Sequence, residues 1–189
     1  MITSLLRHTA ILLLTCLLTA CGFHLRGDLP LATPLHSLYI QSNDPYGTLV
    51  KELEQSLKMS RVTLVENESE AKTVFVLLKD ATAQDLLSVS GTQQTRQYRL
   101  SVTVVFEIKD HSGRTIVPPQ TLAESRVITV QSNQILGSSN EANLYFQQMR
   151  RTLASSILYR LSSREISQMV NQSSPAASTP LNPKAKHTS

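Results

Sequence analysis

The chain has 189 residues, a formal net charge of +4 and a charged-residue content of 17%. This length suits one domain with terminal extensions. The small charge excess comes without lysine or arginine clusters and without zinc-finger spacing, so we expect no nucleic-acid partner.

The chain begins with a segment typical of a secretory signal. Arg7 supplies a short positive region, and residues 10–18, AILLLTCLL, form an apolar run of nine residues. A membrane-spanning helix needs about 20 apolar residues, so this run is too short to span a bilayer. It fits the apolar region of a signal peptide, and we predict that residues 1–20 are removed.

The signal ends in Leu-Thr-Ala-Cys, residues 18–21, which resembles the lipobox of bacterial lipoproteins. In those proteins the cysteine is acylated and becomes the first residue, so the resemblance implies lipidation of Cys21. Three acyl chains hold a domain to a bilayer without a spanning helix. Gly22 favours the outer membrane, because an aspartate there would resemble an inner-membrane retention signal. A plain secretory signal with a coincidental cysteine is the alternative.

The two cysteines are both accounted for by this interpretation. Cys16 leaves with the signal and Cys21 carries the lipid. The mature chain would then have no free thiol for a disulfide, a thiolate nucleophile or a cysteine metal site.

The next segments predict a tether, a strand and a helix. Residues 21–36 contain glycine and proline and are predicted to form an extended tether, followed by a strand at 37–42, SLYIQS. Asp44 and Pro45 then predict a helix start, because aspartate can cap free backbone amides and proline suits the first helical position. Helical spacing of apolar residues extends this helix to about Met59. Its stripe comprises Tyr46, Leu49, Val50, Leu53 and Leu57.

The middle of the chain is rich in strand patterns. Residues 62–66 are a short candidate, and 73–79 are a stronger one that continues irregularly towards 85–90. A further strand is predicted from about Leu122 to Gln131.

The clearest strand is residues 98–110, YRLSVTVVFEIKD, which end in a turn at 110–113. Apolar side chains occupy alternate positions, which predicts a sheet with one packed face and one more polar face. The packed face comprises Tyr98, Leu100, Val102, Val104, Phe106 and Ile108.

A long amphipathic helix is predicted to close the fold. Asn140 is its expected cap, and its apolar stripe ends at Leu161. Ser162 to Glu165 resembles a capping box, which predicts a break and a short second helical piece to about Val170. Residues 171–189 are polar and proline-containing and are predicted to be a disordered tail.

These elements predict an α+β domain over residues 37–170. We expect a two-layer sandwich in which two helices pack on a four-stranded mixed, mostly antiparallel sheet. No arrangement typical of catalysis, cofactor binding or metal binding is present. The histidines lack ligand spacing, there is no Gly-x-Ser-x-Gly elbow and no glycine-rich phosphate loop, and Asp80 and Asp85 are typical of surface strand charges. The chain is therefore expected to be a non-enzymatic lipoprotein without cofactor or metal.

The hairpin at residues 86–100 is the strongest candidate for a binding surface. Arg96 and Arg99 follow its polar tip, and Leu87 and Val89 precede it. Arginine beside exposed apolar groups suits a ligand with phosphates and acyl chains. Residues three apart on a strand point to opposite faces, and we expect Arg99, on the polar face, to contribute most. A solvated hairpin with ordinary edge charges is the alternative.

Several short motifs together resemble the LptE family of lipopolysaccharide-assembly lipoproteins. Their order and spacing match over most of residues 21–166, and the late amphipathic helix follows them. The motifs are CGFHLRG at 21–27, SNDPYG at 42–47, QTRQY at 94–98 and GRTIVP at 113–118.

The resemblance implies two helices on a four-stranded mixed sheet and a place inside the lumen of a large LptD-like outer-membrane β-barrel of a Gram-negative bacterium. The protein would help that barrel assemble, plug it and bind lipopolysaccharide on its way to the cell surface. Basic residues at the hairpin tip and before the last helix are linked to that binding in the family. Gly91 and the lysine-free LGSSN segment stand there in this chain.

Arg96 and Arg99 are therefore the nearest substitutes for lipopolysaccharide binding, and Leu87 and Val89 are the predicted barrel contacts. Two other functions remain open. One is an outer-membrane-anchored periplasmic lipid carrier, which needs a deep apolar pocket. The other is a peptidoglycan-binding lipoprotein, which needs a convergent polar pocket.

Overall fold

The computed structural model describes residues 30–92, 94–131 and 135–173, with the backbone alone at 135–139. The predicted signal, Cys21, most of the predicted tether and the tail from residue 174 lie outside the described residues. In the described part, five strands form one sheet: β1 (Ser37–Ser42), β2 (Thr63–Leu64), β3 (Thr73–Val89), β4 (Thr95–Asp110) and β5 (Thr115–Gln131). Three α-helices accompany them: α1 (Thr48–Met59), α2 (Ile135–Leu161) and α3 (Arg164–Ser173).

The strand order in the sheet is β2-β1-β3-β4-β5. β1 is parallel to β2 and β3, whereas β3, β4 and β5 form an antiparallel meander. The α+β class and the mixed sheet are confirmed, but the expectation of four strands and two helices is wrong. β2 is a two-residue parallel partner of β1, and a side-chain cap separates α3 from α2.

That cap lies one residue later than predicted. The Ser163 hydroxyl oxygen, not that of Ser162, accepts a hydrogen bond from the backbone amide of Ile166 at 3.3 Å. A serine at this position satisfies one of the free amides at the helix start. α3 therefore begins as a separate helix and extends to Ser173, beyond the predicted end at Val170.

Two other predicted helix starts are wrong. α1 begins at Thr48, because the Gly47 amide donates to the Asp44 carbonyl and closes a turn that holds Pro45 and Tyr46 outside the helix. The Tyr46 side chain is 81% exposed and is not part of the apolar stripe. α2 begins at Ile135, so Asn140 lies within the helix and is not its cap.

The strand boundaries differ where bulges interrupt the two-residue period. β3 is one continuous strand, with register shifts at Leu77/Lys79 and Leu86/Ser88 that make its sequence resemble two strands. β5 begins at Thr115, seven residues before the predicted start at Leu122, because a register shift around Pro118 and Pro119 breaks its alternation.

The core lies between the sheet and the helices. Leu100, Val102, Val104, Phe106 and Ile108 of β4 are fully buried, which confirms the predicted packed face apart from the half-buried Tyr98. The Phe75 and Phe106 rings stack with centroids 5.0 Å apart. Leu31, Ala32 and Leu35, in the segment predicted as tether, also pack into this core.

Candidate functional site

The meander extends well beyond β1. The pairing of β1 with β3 ends at Ser42 opposite Leu77, but β3 continues for twelve residues. We call the remaining three-stranded part the extension; it comprises residues 79–89, 95–105 and 121–131. The rest of the domain is called the base. Residues 73–77 of β3 are all buried, whereas nearly every later residue of this strand is exposed.

The register assigns each side chain of the extension to a face. Leu100 and Val102 are buried beneath the helices, so alternate residues of β4 lie on the helix side and the intervening ones on the outer side. Arg96 therefore lies on the helix side and Arg99 on the outer side. The prediction that these two arginines lie on opposite faces is confirmed.

Arg96 lies in an apolar row across the three strands. Its neighbours in the sheet are Val89 of β3 and Val130 of β5, and the adjacent row on the same face contains Leu86, Tyr98 and Ile128. Val89 is 45% exposed and Leu86 is 54% exposed. This face therefore presents a guanidinium beside two exposed apolar side chains, while the apolar side chains of β4 and β5 in these two rows are half-buried or buried.

Arg99 lies in a different environment on the outer face. Its strand neighbours are Asp85 and Val127, so a carboxylate lies directly across the strand from its positive charge. The adjacent row on this face is polar, and the Ser88 hydroxyl donates to the Gln97 side-chain oxygen at 3.0 Å. Among the described residues, neither Arg96 nor Arg99 forms an ion pair.

The structure brings only some of the predicted site residues together. Val89 lies directly across from Arg96, but Leu87 lies in the bulge between Leu86 and Ser88 and has no partner residue on β4. Leu87 is 41% exposed. Sequence reasoning missed Leu86 and Val130. The bulge at Leu87 brings Leu86 to the face of Val89, and the register with β5 places Val130 beside Arg96, so no alternation within one strand indicated either neighbour.

Arg126 is a third residue that sequence reasoning missed, and it connects the extension to α2. The Arg126 guanidinium donates to the Gln148 side-chain oxygen at 2.9 Å and lies 4.9 Å from the centre of the Tyr145 ring. This cation–π contact and hydrogen bond hold α2 over β5. The sequence pattern did not indicate this role for Arg126, because its partners are about 20 residues away in the chain.

The two aspartates of β3 in the extension lie on opposite faces of the sheet. Asp80 pairs with Arg150 of α2 at 2.8 Å, on the helix side, whereas Asp85 lies on the outer face. Within the described residues no group of three or more histidine, cysteine, aspartate or glutamate side chains could hold a metal ion. None of the described helices has the length and apolarity needed to cross a membrane.

The fold is a two-layer α+β domain whose sheet continues into an exposed three-stranded extension. Comparison with known proteins identifies its family. The LptE family model, described as lipopolysaccharide-assembly, matches residues 35–161. The chain belongs to the LptE family.

Individual relatives agree with this assignment. LPS-assembly lipoprotein LptE of Photorhabdus laumondii is 32% identical over 162 residues, which cover 82% of this chain and 87% of the relative. The protein of the same name from Yersinia enterocolitica is 30% identical and covers 82% of this chain and 77% of its own.

Solved structures show the same fold at lower identity. Rare lipoprotein B of Shewanella oneidensis superimposes with a TM-score of 0.60 at 24% identity, covering 69% of this chain and 97% of its own. A lipoprotein B of Nitrosomonas europaea gives a TM-score of 0.62 at 19% identity, covering 80% of this chain and 97% of its own.

Proposed function

We propose that this protein is an outer-membrane lipoprotein of lipopolysaccharide assembly, anchored through acylated Cys21. It assembles with an LptD-like β-barrel, plugs that barrel and binds lipopolysaccharide for delivery to the outer leaflet. Membership of the LptE family, the names of the relatives and the lipobox at residues 18–21 support this role.

One observation carries the ligand part of the proposal. Arg96 lies between the apolar side chains of Val89 and Val130 on the helix side of the extension. Lipopolysaccharide combines phosphates with acyl chains, and a guanidinium can meet a phosphate with two parallel hydrogen bonds while neighbouring aliphatic groups contact the chains. The same row therefore suits both parts of the ligand.

The strand register changes which of the two arginines we expect to contribute more to lipopolysaccharide binding. The sequence favours Arg99, because it lies on the polar face. In the fold, Asp85 lies across the strand from Arg99 and offsets its charge, whereas Arg96 has aliphatic neighbours. We therefore propose Arg96 as the larger contributor and Arg99 as a secondary one.

The barrel part of the proposal is supported by exposed apolar groups at the end of the extension. Leu86, Leu87 and Val89 come close together on β3, and Val127 on the outer face is 54% exposed. Exposed apolar groups concentrated at one end of a domain are typical of a protein interface. Leu87 and Val89 thus remain the proposed barrel contacts, joined by Leu86 and Val127.

A lipid carrier would need a deep apolar cavity. The groove of about 360 Å³ between the end of β1, the start of α1 and β3 is lined largely by polar and charged groups, among them Asp44, Lys79, Asp80 and Arg150. Such a lining does not suit acyl chains. Co-purification from detergent extracts separates the two functions: a stoichiometric large barrel supports ours, and bound lipid without a barrel supports a carrier.

The ligand site is tested by lipopolysaccharide binding to purified Arg96→Ala, Arg99→Ala and double variants. Hydrogen bonds to charged groups contribute ~1.5–3 kcal/mol each, so we expect the double variant to bind at least about tenfold more weakly. Arg96→Ala should account for most of the loss. Arg164→Ala, an exposed arginine at the start of α3, is the matched control. Unchanged affinity in a folded double variant would make both arginines ordinary edge charges.

The anchor is tested separately. Cys21→Ala should give an unprocessed or mislocalised protein, because acylation precedes cleavage in lipoproteins. Mass spectrometry of the wild type should show a triacylated N-terminus at Cys21. A mature chain that begins at any other residue would contradict the lipobox interpretation.

A further inference from the structure

The last strand of the sheet has a long free edge. β5 is the last strand in the sheet order, so one of its edges pairs with β4 and no described strand pairs with the other. Natural edge strands are commonly protected by proline, bulges or several charges. Here Pro118 and Pro119 interrupt only the start of β5, and residues 120–131 contain neither proline nor glycine. Glu124 and Arg126 are the two charged residues of that stretch.

The positions of Glu124 and Arg126 favour a second copy of β5 as the partner strand, in one particular antiparallel register. When two copies of β5 pair antiparallel about a two-fold axis, the residue on the axis lies opposite itself. An axis through Ser125 places Glu124 of each copy opposite Arg126 of the other, so that two opposite-charge pairs form. A shift of the axis to Glu124 or Arg126 places like charges opposite each other, which is destabilising.

The remaining pairs of this register also match. Leu122 lies opposite Ile128 on the helix side, and Ala123 lies opposite Val127 on the outer side. The exposed Val127 would gain an apolar neighbour. Glu124 and Arg126 both lie on the helix side, and Glu124 forms no ion pair among the described residues.

We infer that the free edge of β5 is a self-association surface, at which two copies of this chain join their sheets in the register centred on Ser125. The inference rests on the free edge and its two charges, and it concerns the protein without its barrel, because Val127 is also a proposed barrel contact. The interface is one strand wide, so the dimer is weak and concentration-dependent.

The free edge of β3 does not serve this purpose. Beside β3, the place of an added strand is occupied by β1 as far as Ser42, opposite Leu77. If two copies of β3 paired antiparallel, Lys79 of one copy would lie opposite Asp85 of the other in the register centred on Thr82. In that register the hairpin tip of the second copy would clash with the end of β1. β5 has no such obstruction from a described strand.

Disulfide trapping tests the register in the purified full chain with Cys16 and Cys21 replaced by serine, so that the introduced cysteine is its single thiol. Residues directly opposite in an antiparallel pair have Cα atoms about 4.5–5.5 Å apart, within the range that a disulfide bridges. We expect Ser125→Cys to give a dimer upon oxidation that reducing agent reverses. Thr129→Cys is the matched control on the same strand and face, since the two copies of residue 129 would be about 27 Å apart.

Equal trapping of both cysteine variants would overturn the inference, because random collision would explain it. A folded Ser125→Cys protein that stays monomeric under the same conditions would overturn it as well.

Charge reversal provides an independent test by analytical ultracentrifugation. Glu124→Arg should raise the dimer dissociation constant about tenfold, because it replaces two attractive cross-strand pairs with two repulsive ones. Adding Arg126→Glu should restore association. Since Arg126 also contacts Tyr145 and Gln148, a thermal melt must first show that the double variant is folded. Dissociation constants unaffected by Glu124→Arg would contradict the proposed register.

Discussion

The two halves of β3 differ more from each other than many separate strands do. In the base, residues 73–77 are buried on both faces and lie between β1 and β4 in the sheet. In the extension, residues 82–89 are exposed on both faces, although this half contains Leu86, Leu87 and Val89. Apolar content alone therefore does not determine burial along this strand.

The difference arises from where the neighbours end. β1 stops at Ser42, and α2 covers β4 and β5 more than β3, so the second half of β3 has one strand partner and little above it. The base obtains its stability from burial, whereas the extension leaves its side chains exposed, and we propose that these side chains bind the ligand and the barrel. The following experiments sharpen or break that distinction, in order of decreasing effect.

The largest difference is expected between Phe106→Ala and Leu86→Ala. Phe106 is fully buried and stacks on Phe75, so its truncation should cost ~3–5 kcal/mol of unfolding free energy. Leu86→Ala removes a half-exposed side chain and should cost under ~1 kcal/mol. Urea unfolding of both variants measures the effect. Comparable losses would show that the extension is as much a part of the core as the base.

The next prediction concerns the turn at the base end of β4. The Asp110 carboxylate accepts hydrogen bonds from the Ser112 hydroxyl at 2.6 Å and from the backbone amides of Ser112 and Arg114 at 3.0 Å. The Arg114 guanidinium also donates to it. Burial acts to raise the pKa of Asp110, but these hydrogen bonds outweigh burial and lower the pKa from 3.8 to about 2.

A lowered pKa means that the ionised carboxylate stabilises the fold. This contribution is complete above the unfolded-state pKa near 4 and is lost as pH falls towards 2; its size is ~2 kcal/mol. Asp110→Asn should therefore be less stable than the wild type at neutral pH, and the difference should shrink at acid pH. Denaturant titrations at several pH values measure the difference in unfolding free energy between the variant and the wild type. Asp85→Asn, which removes a carboxylate of the extension, is the matched control. A difference that is constant with pH would contradict the assignment.

The two turns at opposite ends of β4 offer a comparison of glycines. Gly91, at the extension end, has no atom within 4 Å of an added Cβ, so Gly91→Lys should leave stability within ~0.5 kcal/mol. The new charge at the tip should strengthen lipopolysaccharide binding about threefold. Gly113, at the base end, has a φ of +81°, so Gly113→Lys should cost ~1–2 kcal/mol and leave binding unchanged. The reverse pattern would place the ligand site at the base.

The smallest effect is expected from the tail. Deletion of residues 174–189, which lie outside the described residues, should leave the thermal midpoint nearly unchanged, since a polar, proline-containing segment buries little surface. Differential scanning calorimetry compares the two proteins. A large drop would show that the tail stabilises the base.

Much of the fold could be predicted where the hydrophobic period was unbroken. β4 is an example: its alternation over residues 98–110 predicted both the strand and its packed face. The predictions failed where the signal is not periodic. Bulges in β3 and β5 disguised long strands, and Gly47 rather than Asp44 precedes the first turn of α1 because a local turn uses the Asp44 carbonyl.

The candidate site was predicted in part for the same reason. The spacing of Arg96 and Arg99 placed them on opposite faces, because side-chain direction on a regular strand depends only on position. Their neighbours depend on the register with β3 and β5, which placed Val89 and Val130 beside Arg96 and Asp85 beside Arg99. Residues far apart in the chain form each row, so the sequence alone could not identify which arginine has apolar neighbours.

The sequence by itself determined the local features: the amphipathic helices, the alternation of β4 and the motifs that mark the LptE family; it also predicts lipidation at Cys21. These depend on residues within a few positions of one another. Only the tertiary structure decided that β3 passes from a buried base into an exposed extension, and that β5 has a free edge. A strand residue is buried only where a neighbouring strand or helix lies beside it. Where those neighbours end depends on the assembled sheet, so the sequence of the strand itself does not reveal it.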